Sequence, residues 1–235
     1  MWTQVLAPTL ALLHGSASDL RGFFQELAHH TLHTRAGNVL WCDGDHGFNP
    51  YEFAELNLTR GHQADDGGER MLVKRCMTPF QWYTALSRLL PEKLAQSETS
   101  LAVVNPFDRQ FSTDELADWE QEDYVRFVVP HLKAVAQRSG VPILLGVDMA
   151  RWWRSHPVLA QATHEAVAVR WSVASTAGRW RLVRDDGLVV DPLLRRGVTL
   201  LDYVEEPVLA PMPLPRPPPR RERRTRIIHP GPRFD

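Results

Sequence analysis

Strand-like runs that alternate with helix-like segments are the feature that most restricts the fold of this chain. Five such runs are Leu10–Leu13, Asn38–Cys42, Met71–Cys76, Ser100–Asn105 and Pro142–Val147. The fourth run is apolar across its whole width, which is typical of a parallel strand covered on both faces. Strands that alternate with helices along the chain are characteristic of α/β folds. The sequence therefore predicts an α/β fold with a mostly parallel sheet flanked by helices.

A different pattern follows the fifth run. Ala166–Ser172 and Gly178–Arg184 alternate apolar and polar residues, as half-buried strands do. Asp185-Asp186-Gly187 is a turn signal directly after them. We expect a C-terminal β-meander here, joined to the α/β core.

Charge and proline content change abruptly at residue 207. Residues 207–235 contain seven arginines against two acidic residues, a net charge of +5, and nine of the 18 prolines. Such a segment cannot bury a hydrophobic core, so we expect one core domain over 1–206 and a disordered basic tail over 207–235. The tail could bind nucleic-acid phosphates or dock in an aromatic groove of a partner protein, and both alternatives stay open. Its nucleic-acid candidates are Arg220, Arg221, Arg223 and Arg224.

The cysteine count and the absence of a long apolar stretch indicate a location inside the cell. Cys42 and Cys76 are the only cysteines, too few for a disulfide framework. No apolar run approaches the roughly 20 residues of a membrane-spanning helix, and no basic leader precedes one. We expect a cytoplasmic or nucleoid-associated protein without membrane contact.

The stretch Gly15–Gly22 lies between the first predicted strand and the first predicted helix. Strand, glycine-led loop and helix is the layout of a phosphate-binding loop with the pattern G-x-x-x-x-G-K-[ST]. Gly15 matches the first glycine of the pattern. Leu20, Arg21 and Gly22 occupy the positions of the second glycine, the lysine and the hydroxyl residue. A glycine is also ordinary at a strand-to-helix turn, so the position of a phosphate loop is present while most of its chemistry is missing.

Residues 39–50, Val-Leu-Trp-Cys-Asp-Gly-Asp-His-Gly-Phe-Asn-Pro, carry a more specific signal. They resemble the strand of RecA/RadA-type recombinases that ends in Asp-Thr-Glu-Gly-x-Phe-x-Pro. Residues 71–90, 140–149 and 164–187 are similar to the strand–helix, the fifth strand and the closing hairpins of the same family. The resemblance covers residues 5–190 and implies a RecA-like P-loop fold.

By position, the resemblance also implies an eroded nucleotide site. The family's phosphate-binding lysine, magnesium-binding hydroxyl, water-activating glutamate, Walker B carboxylate and sensing glutamine fall on or near Arg21, Gly22, Asp45, Asn105 and Asp148. Of these, Arg21 and Asp45 alone keep a side chain suited to the role. Phosphoryl transfer needs phosphate, metal and water all in position. We therefore expect ATP hydrolysis to be lost or very slow and no resident cofactor, with weak nucleotide binding left open.

The run Arg151-Trp152-Trp153-Arg154 follows the fifth predicted strand, where the recombinase core carries a DNA-binding loop. Indole rings stack on bases and guanidinium groups neutralise phosphates, so these residue types suit single-stranded DNA. The alternative is that the tryptophans pack on the core or on a partner protein.

Two histidines, His29 and His33, lie four residues apart in a predicted helix, a spacing that can bind zinc. Two ligands do not complete a zinc site, and no cysteine or carboxylate with a fitting spacing follows. We therefore expect surface histidines and no metal. His14, Ser16 and Ser18 lack a G-x-S-x-G elbow, which argues against a hydrolase triad.

These observations predict a catalytically degenerate RecA/RadA-like accessory protein in DNA repair or recombination. Its expected partner is a RecA-family or repair protein, and single-stranded DNA is a second candidate. Two alternatives stay open: a nucleotide-binding ATPase with a nonstandard phosphate loop, and a non-catalytic scaffold for protein assembly. ATP turnover would separate the first alternative from the prediction, and single-strand binding would separate the second.

Overall fold

The computed structural model describes residues 5–111, 115–176 and 179–190, and in these residues eight strands form one sheet. The strands are β1 (Leu10–His14), β2 (Asn38–Asp43), β3 (Met71–Arg75), β4 (Thr99–Asn105), β5 (Ile143–Val147), β6 (Val169–Thr176), β7 (Arg179–Arg184) and β8 (Val189–Val190). Their order across the sheet is β3-β2-β4-β5-β1-β6-β7-β8. Every pairing among β1 to β6 is parallel, and β7 is antiparallel to both of its neighbours. The predicted α/β fold with a mostly parallel sheet is confirmed, and β6, β7 and β8 form the expected meander.

Helices cover both faces of the sheet. They are α1 (Ala17–Thr34), α2 (Pro50–Thr59), α3 (Pro79–Thr84), α4 (Leu90–Gln96), α5 (Asp118–Ser139), α6 (Met149–Ser155) and α7 (Pro157–Ala166). A π-helical stretch, Ala85–Leu89, joins α3 to α4, and 3-10 turns cover Gly68–Arg70 and Arg109–Phe111. Within the described ranges, no helix is both long enough and apolar enough to cross a bilayer.

The sheet has two apolar cores because alternate residues of each strand point to opposite faces. In β1, Leu10 and Leu12 pack with residues of α3 to α7, whereas Ala11 and Leu13 pack with residues of α1 and α2. The same alternation holds in β4, where Ala102 belongs to the first core. Burial on both faces explains why the central strands have nearly continuous apolar runs.

The segment between β5 and β6 differs from the sequence prediction. The residues between β5 and β6 form two helices, α6 and α7, where a loop was expected. As a result β6 begins at Val169 rather than Ala166 and extends to Thr176. Pro130 lies inside α5, which continues past it to Ser139. The predicted tail, with Arg220, Arg221, Arg223 and Arg224, lies outside the described residues.

Candidate functional site

The carboxyl ends of β1, β2, β4 and β5 border a cavity of about 400 Å³. In open α/β sheets, ligands bind at this edge. The charged residues of its lining are Arg21, Asp45, Asp108, Arg109, Asp148 and Arg151. Of the residues assigned to a nucleotide site from the sequence, the cavity brings together Arg21, Asp45, Asn105 and Asp148. Gly15 and Gly22 are not part of the lining.

Gly15 is required by the packing of two strands. A Cβ atom at this position would lie 2.5 Å from the carbonyl oxygen of Val173 in β6, so only glycine allows this close approach. Its backbone N–H donates to the carbonyl oxygen of Val147 at 3.3 Å. This amide is therefore occupied, and the sheet alone accounts for the glycine.

A helical turn stands where a phosphate-binding loop would lie. Helix α1 begins at Ala17, and Ser16 caps it by accepting the backbone N–H of Asp19 at 3.1 Å. The backbone N–H of Leu20 donates to the carbonyl oxygen of Ser16 at 2.9 Å. A phosphate loop works by pointing free backbone N–H groups at its ligand. Here the amides of Gly15, Asp19 and Leu20 already have protein partners, so these three cannot contribute to such a cradle.

Two further residues aligned with the phosphate loop face the protein. Leu20 is 1% exposed and packs in the core beneath α1. A Cβ atom added at Gly22 would lie 3.0 Å from the indole ring of Trp180 in β7. Gly22 therefore contacts the meander rather than the cavity, and Arg21 is the residue of this turn whose charge lines the cavity.

The turn after β2 is organised by Asp43, which sequence reasoning did not single out. Its carboxylate is fully buried and accepts the backbone N–H groups of Gly47 at 2.9 Å and Phe48 at 3.3 Å. Arg75 lies 3.6 Å from the same carboxylate. His46, between these contacts, has a positive φ of 60°, which is uncommon for a residue other than glycine. Asp43 thus holds the turn that carries Asp45 into the cavity.

Asp45, at the position of the water-activating glutamate, forms an ion pair in this structure. Its Oδ2 accepts a hydrogen bond from Arg109 Nη1 at 2.9 Å. Burial raises the pKa of the Asp45 carboxyl, and the Arg109 guanidinium opposes that rise. The pair links the end of β2 to the segment after β4.

The segment after β4 supplies a buried carboxyl group that was missed from the sequence. Asp108 is 3% exposed and lines the cavity. Burial raises its pKa to about 6, while backbone N–H groups of Asp108 and Asp148 oppose the shift. A perturbed carboxyl group in a cleft is a common property of functional sites. The sequence offered one signal for Asp108, since this residue lies three positions after Asn105, the predicted end of the fourth strand.

Asn105, at the Walker B position, is 4% exposed and ends β4. Its side-chain Oδ1 has no hydrogen-bond partner among the described residues. The Asn105–Pro106 peptide bond is cis, and the N–H of Phe107 donates to the carbonyl oxygen of Gly146 at 2.7 Å. The neutral amide leaves the cavity without a carboxylate at this strand end.

The residues predicted to form a DNA-binding loop lie in a helix, so that prediction of a loop is wrong. Asp148 caps α6 by accepting the backbone N–H of Arg151 at 3.1 Å. Trp152 is 1% exposed and meets Phe107 edge to face, with ring centroids 5.8 Å apart. A buried Trp152 cannot stack its ring on a base. This position agrees with the alternative in which the tryptophan packs on the core.

The rest of this run divides between core and surface. Trp153 is partly buried and packs against the same core. Arg151 and Arg154 are exposed, three residues apart on α6. Within the described part of the chain, Arg21 and Arg151 form no salt bridge, so their guanidinium groups can accept an anion.

Neither the comparison with protein-family models nor the comparison with curated proteins finds a match for this sequence. The function must therefore be argued from the fold and the cavity.

Proposed function

We propose that this protein is a catalytically degenerate RecA/RadA-like accessory factor of DNA repair or recombination that acts inside the cell by binding a protein partner. The main support for a degenerate nucleotide site is the junction between β1 and α1. There α1 begins at Ala17, and the amides of Gly15, Asp19 and Leu20 are engaged within the protein. The recombinase-like part rests on the sequence resemblance, with which the α/β architecture is compatible.

An exposed aromatic surface supports the protein partner. We call Phe80, Tyr83, Tyr124 and Phe127, on α3 and α5, the aromatic patch. Tyr83 stacks on Tyr124 with ring centroids 4.5 Å apart and lies 5.9 Å from Phe127. Phe80 and Phe127 are 55% and 50% exposed. Aromatic side chains are enriched in protein interfaces, so the patch is suited to docking a partner.

Single-stranded DNA is the second ligand in this proposal, held through its phosphates. Arg151 and Arg154 are exposed on one helix and can neutralise phosphate charge. The burial of Trp152 removes one of the two base-stacking candidates. DNA contact by the described residues therefore depends on charge more than on stacking.

A second candidate function is nucleotide binding without turnover. Its support is the 400 Å³ cavity with the guanidinium groups of Arg21 and Arg151 at its edge. Ligand pockets commonly enclose roughly 300–1,000 Å³. An anionic ligand such as a nucleotide phosphate could bind here without the backbone cradle that catalysis needs.

An ATPase assay tests the degenerate character. Purified full-length protein, with and without single-stranded DNA, is expected to release phosphate at the buffer rate because phosphate, metal and water are not jointly positioned. The variant Arg21→Ala is expected to give the same rate. Robust turnover that disappears in Arg21→Ala would contradict the proposal and favour the ATPase alternative.

Binding to a purified RecA-family recombinase tests the partner. Phe127→Ala is expected to weaken the complex at least tenfold, the equivalent of about 1.4 kcal/mol. The matched control is Tyr51→Ala, on α2 at 85% exposure, which is expected to leave the affinity unchanged. Equal affinities of the two variants and the wild type would remove the aromatic patch from the proposal.

A further inference from the structure

Three histidines meet on the outer side of α1. His29 and His33 belong to α1, and His62 comes from the loop after α2; we call these three the histidine cluster. One ligand-capable ring nitrogen of each lies within 4.8 Å of the other two. The ring centroids of His33 and His62 are 3.7 Å apart and nearly parallel, at 15°. The sequence analysis considered His29 and His33 alone, and the fold adds His62 as a third ring.

His29 has the properties expected of a metal ligand. The residue is 7% exposed, and its Nε2 has no hydrogen-bond partner among the described residues. Leaving a buried polar group unpaired is energetically unfavourable. The Nε2 atom of His29 is therefore a buried nitrogen that is available as a ligand atom.

The loop that carries His62 is held in place by a buried asparagine. Asn57 is fully buried, and its Nδ2 donates to the carbonyl oxygens of Ala64 and Asp66, each at 3.0 Å. The backbone N–H of His62 donates to the carbonyl oxygen of Asn57, also at 3.0 Å. The Oδ1 atom of Asn57 lies 3.4 Å from Nε2 of His33. One side chain thus orients the loop and faces a second ring, as outer-sphere residues do in metal sites.

The charges around the cluster are compatible with a cation. Arg60 is the nearby positive group, and it is paired with Glu26 at 2.8 Å. The carboxylate of Asp66 lies 3.9 Å from Nδ1 of His62. A carboxylate beside a ligating histidine can orient the ring.

We propose that His29, His33 and His62 bind one zinc-class divalent transition-metal ion, with a fourth coordination position open to water or another ligand. Imidazole nitrogens suit zinc, copper, nickel and cobalt, and three histidines with an open position form a known zinc geometry. His29 is eight residues beyond Arg21, roughly 12 Å along the helix axis at 1.5 Å per residue. The site is therefore separate from the cavity and independent of the proposed function.

Competition for Zn²⁺ between the full-length protein and a chromophoric chelator tests this site. The wild type is expected to take up one equivalent, and His62→Ala to bind at least 100-fold more weakly. The matched control is His30→Ala, a neighbour on α1 outside the cluster, which is expected to bind like the wild type. Since the chain has ten histidines, this comparison separates the cluster from weak surface binding.

Cobalt provides a second measurement. Co²⁺ bound by the cluster is expected to give visible absorption bands of a four- or five-coordinate ion in the wild type and in His30→Ala, and none in His62→Ala. If His62→Ala does not fold in the presence of EDTA, His33→Ala replaces it. Zinc affinity and cobalt bands that are unchanged in the cluster variant would overturn the proposal.

Discussion

Helix α1 connects two regions that differ in their chemistry, the cavity at the sheet edge and the histidine cluster. At the cavity, the sequence has the position of a known motif without its chemistry, because Leu20 is an apolar, buried side chain and Gly22 packs against Trp180. At the cluster, the chemistry is assembled without a recognisable motif, because His62 is distant from His29 in sequence. This difference shows that the spacing of residues in a motif is weak evidence for a binding site when the ligands of that site come from separate elements.

Burial acts on both regions in the same physical direction. It raises the pKa of Asp108 to about 6 and lowers that of His29 to about 4. In both cases burial favours the neutral form of the side chain. The pKa of Asp108 is thereby close enough to neutral pH for its carboxyl group to exchange a proton. For His29, burial keeps one ring nitrogen unprotonated near neutral pH.

The largest expected effect is a loss of folding stability. It compares Trp152, on α6 beside the cavity, with His62, in the loop of the histidine cluster. Trp152→Ala is expected to lower the free energy of unfolding by about 3–5 kcal/mol, because a fully buried indole is removed. In metal-free protein, His62→Ala is expected to cost about 1 kcal/mol, the centre of the range for point substitutions, because His62 is only partly buried. Denaturant unfolding measures both values.

The control for Trp152→Ala is Trp119→Ala, since Trp119 is 66% exposed on α5. A loss at Trp152 no larger than at Trp119 would contradict the core assignment and restore Trp152 as a base-stacking candidate. A large loss at His62 in metal-free protein would show that the loop, and not a bound ion, holds the cluster together.

A smaller effect is expected at Asp108, and it depends on pH. The pKa of its carboxyl group is about 6 in the folded protein against an ordinary value of 3.8, so the folded state binds the proton more tightly. The contribution of Asp108 to stability is therefore fully present below pH 4 and is lost as the pH rises through 6. Asp108→Asn is expected to be more stable than the wild type by up to about 3 kcal/mol above pH 7, at 1.36 kcal/mol per pKa unit.

Unfolding curves between pH 4.5 and pH 8 measure this difference, which is expected to shrink toward the acidic end. Asp65→Asn, at an exposed position in the loop of the histidine cluster, is the matched control. A constant difference between Asp108→Asn and the wild type across the pH range would mean that Asp108 is not a buried carboxyl group of the kind described.

Much of the fold could be predicted because strands and turns have local signals. Strand β2 was expected over Asn38–Cys42 and extends over Asn38–Asp43. Helix α6 was missed because its seven residues are too few to show a helical period. Asp148 was assigned a role near a nucleotide, although aspartate is also a frequent N-cap and was a possible signal for α6.

The candidate site could be predicted only in part. Arg21 and Asp45 were expected to face a ligand, and both line the cavity. Asp108 was missed because its burial depends on how the segment after β4 folds against β5 and α6. The ion pair between Asp45 and Arg109 was missed because it joins residues 64 positions apart.

By itself, the sequence determined the alternation of strands and helices, because apolar runs and turn residues act over a few neighbours. The requirement for glycine at residue 15 comes from the close approach of Val173 in β6, which is a tertiary contact. Only the tertiary structure decided which side chains meet. It placed Trp152 in the core and brought His62 onto His29 and His33. These outcomes depend on the packing of elements that are distant in sequence, and no local pattern records that packing.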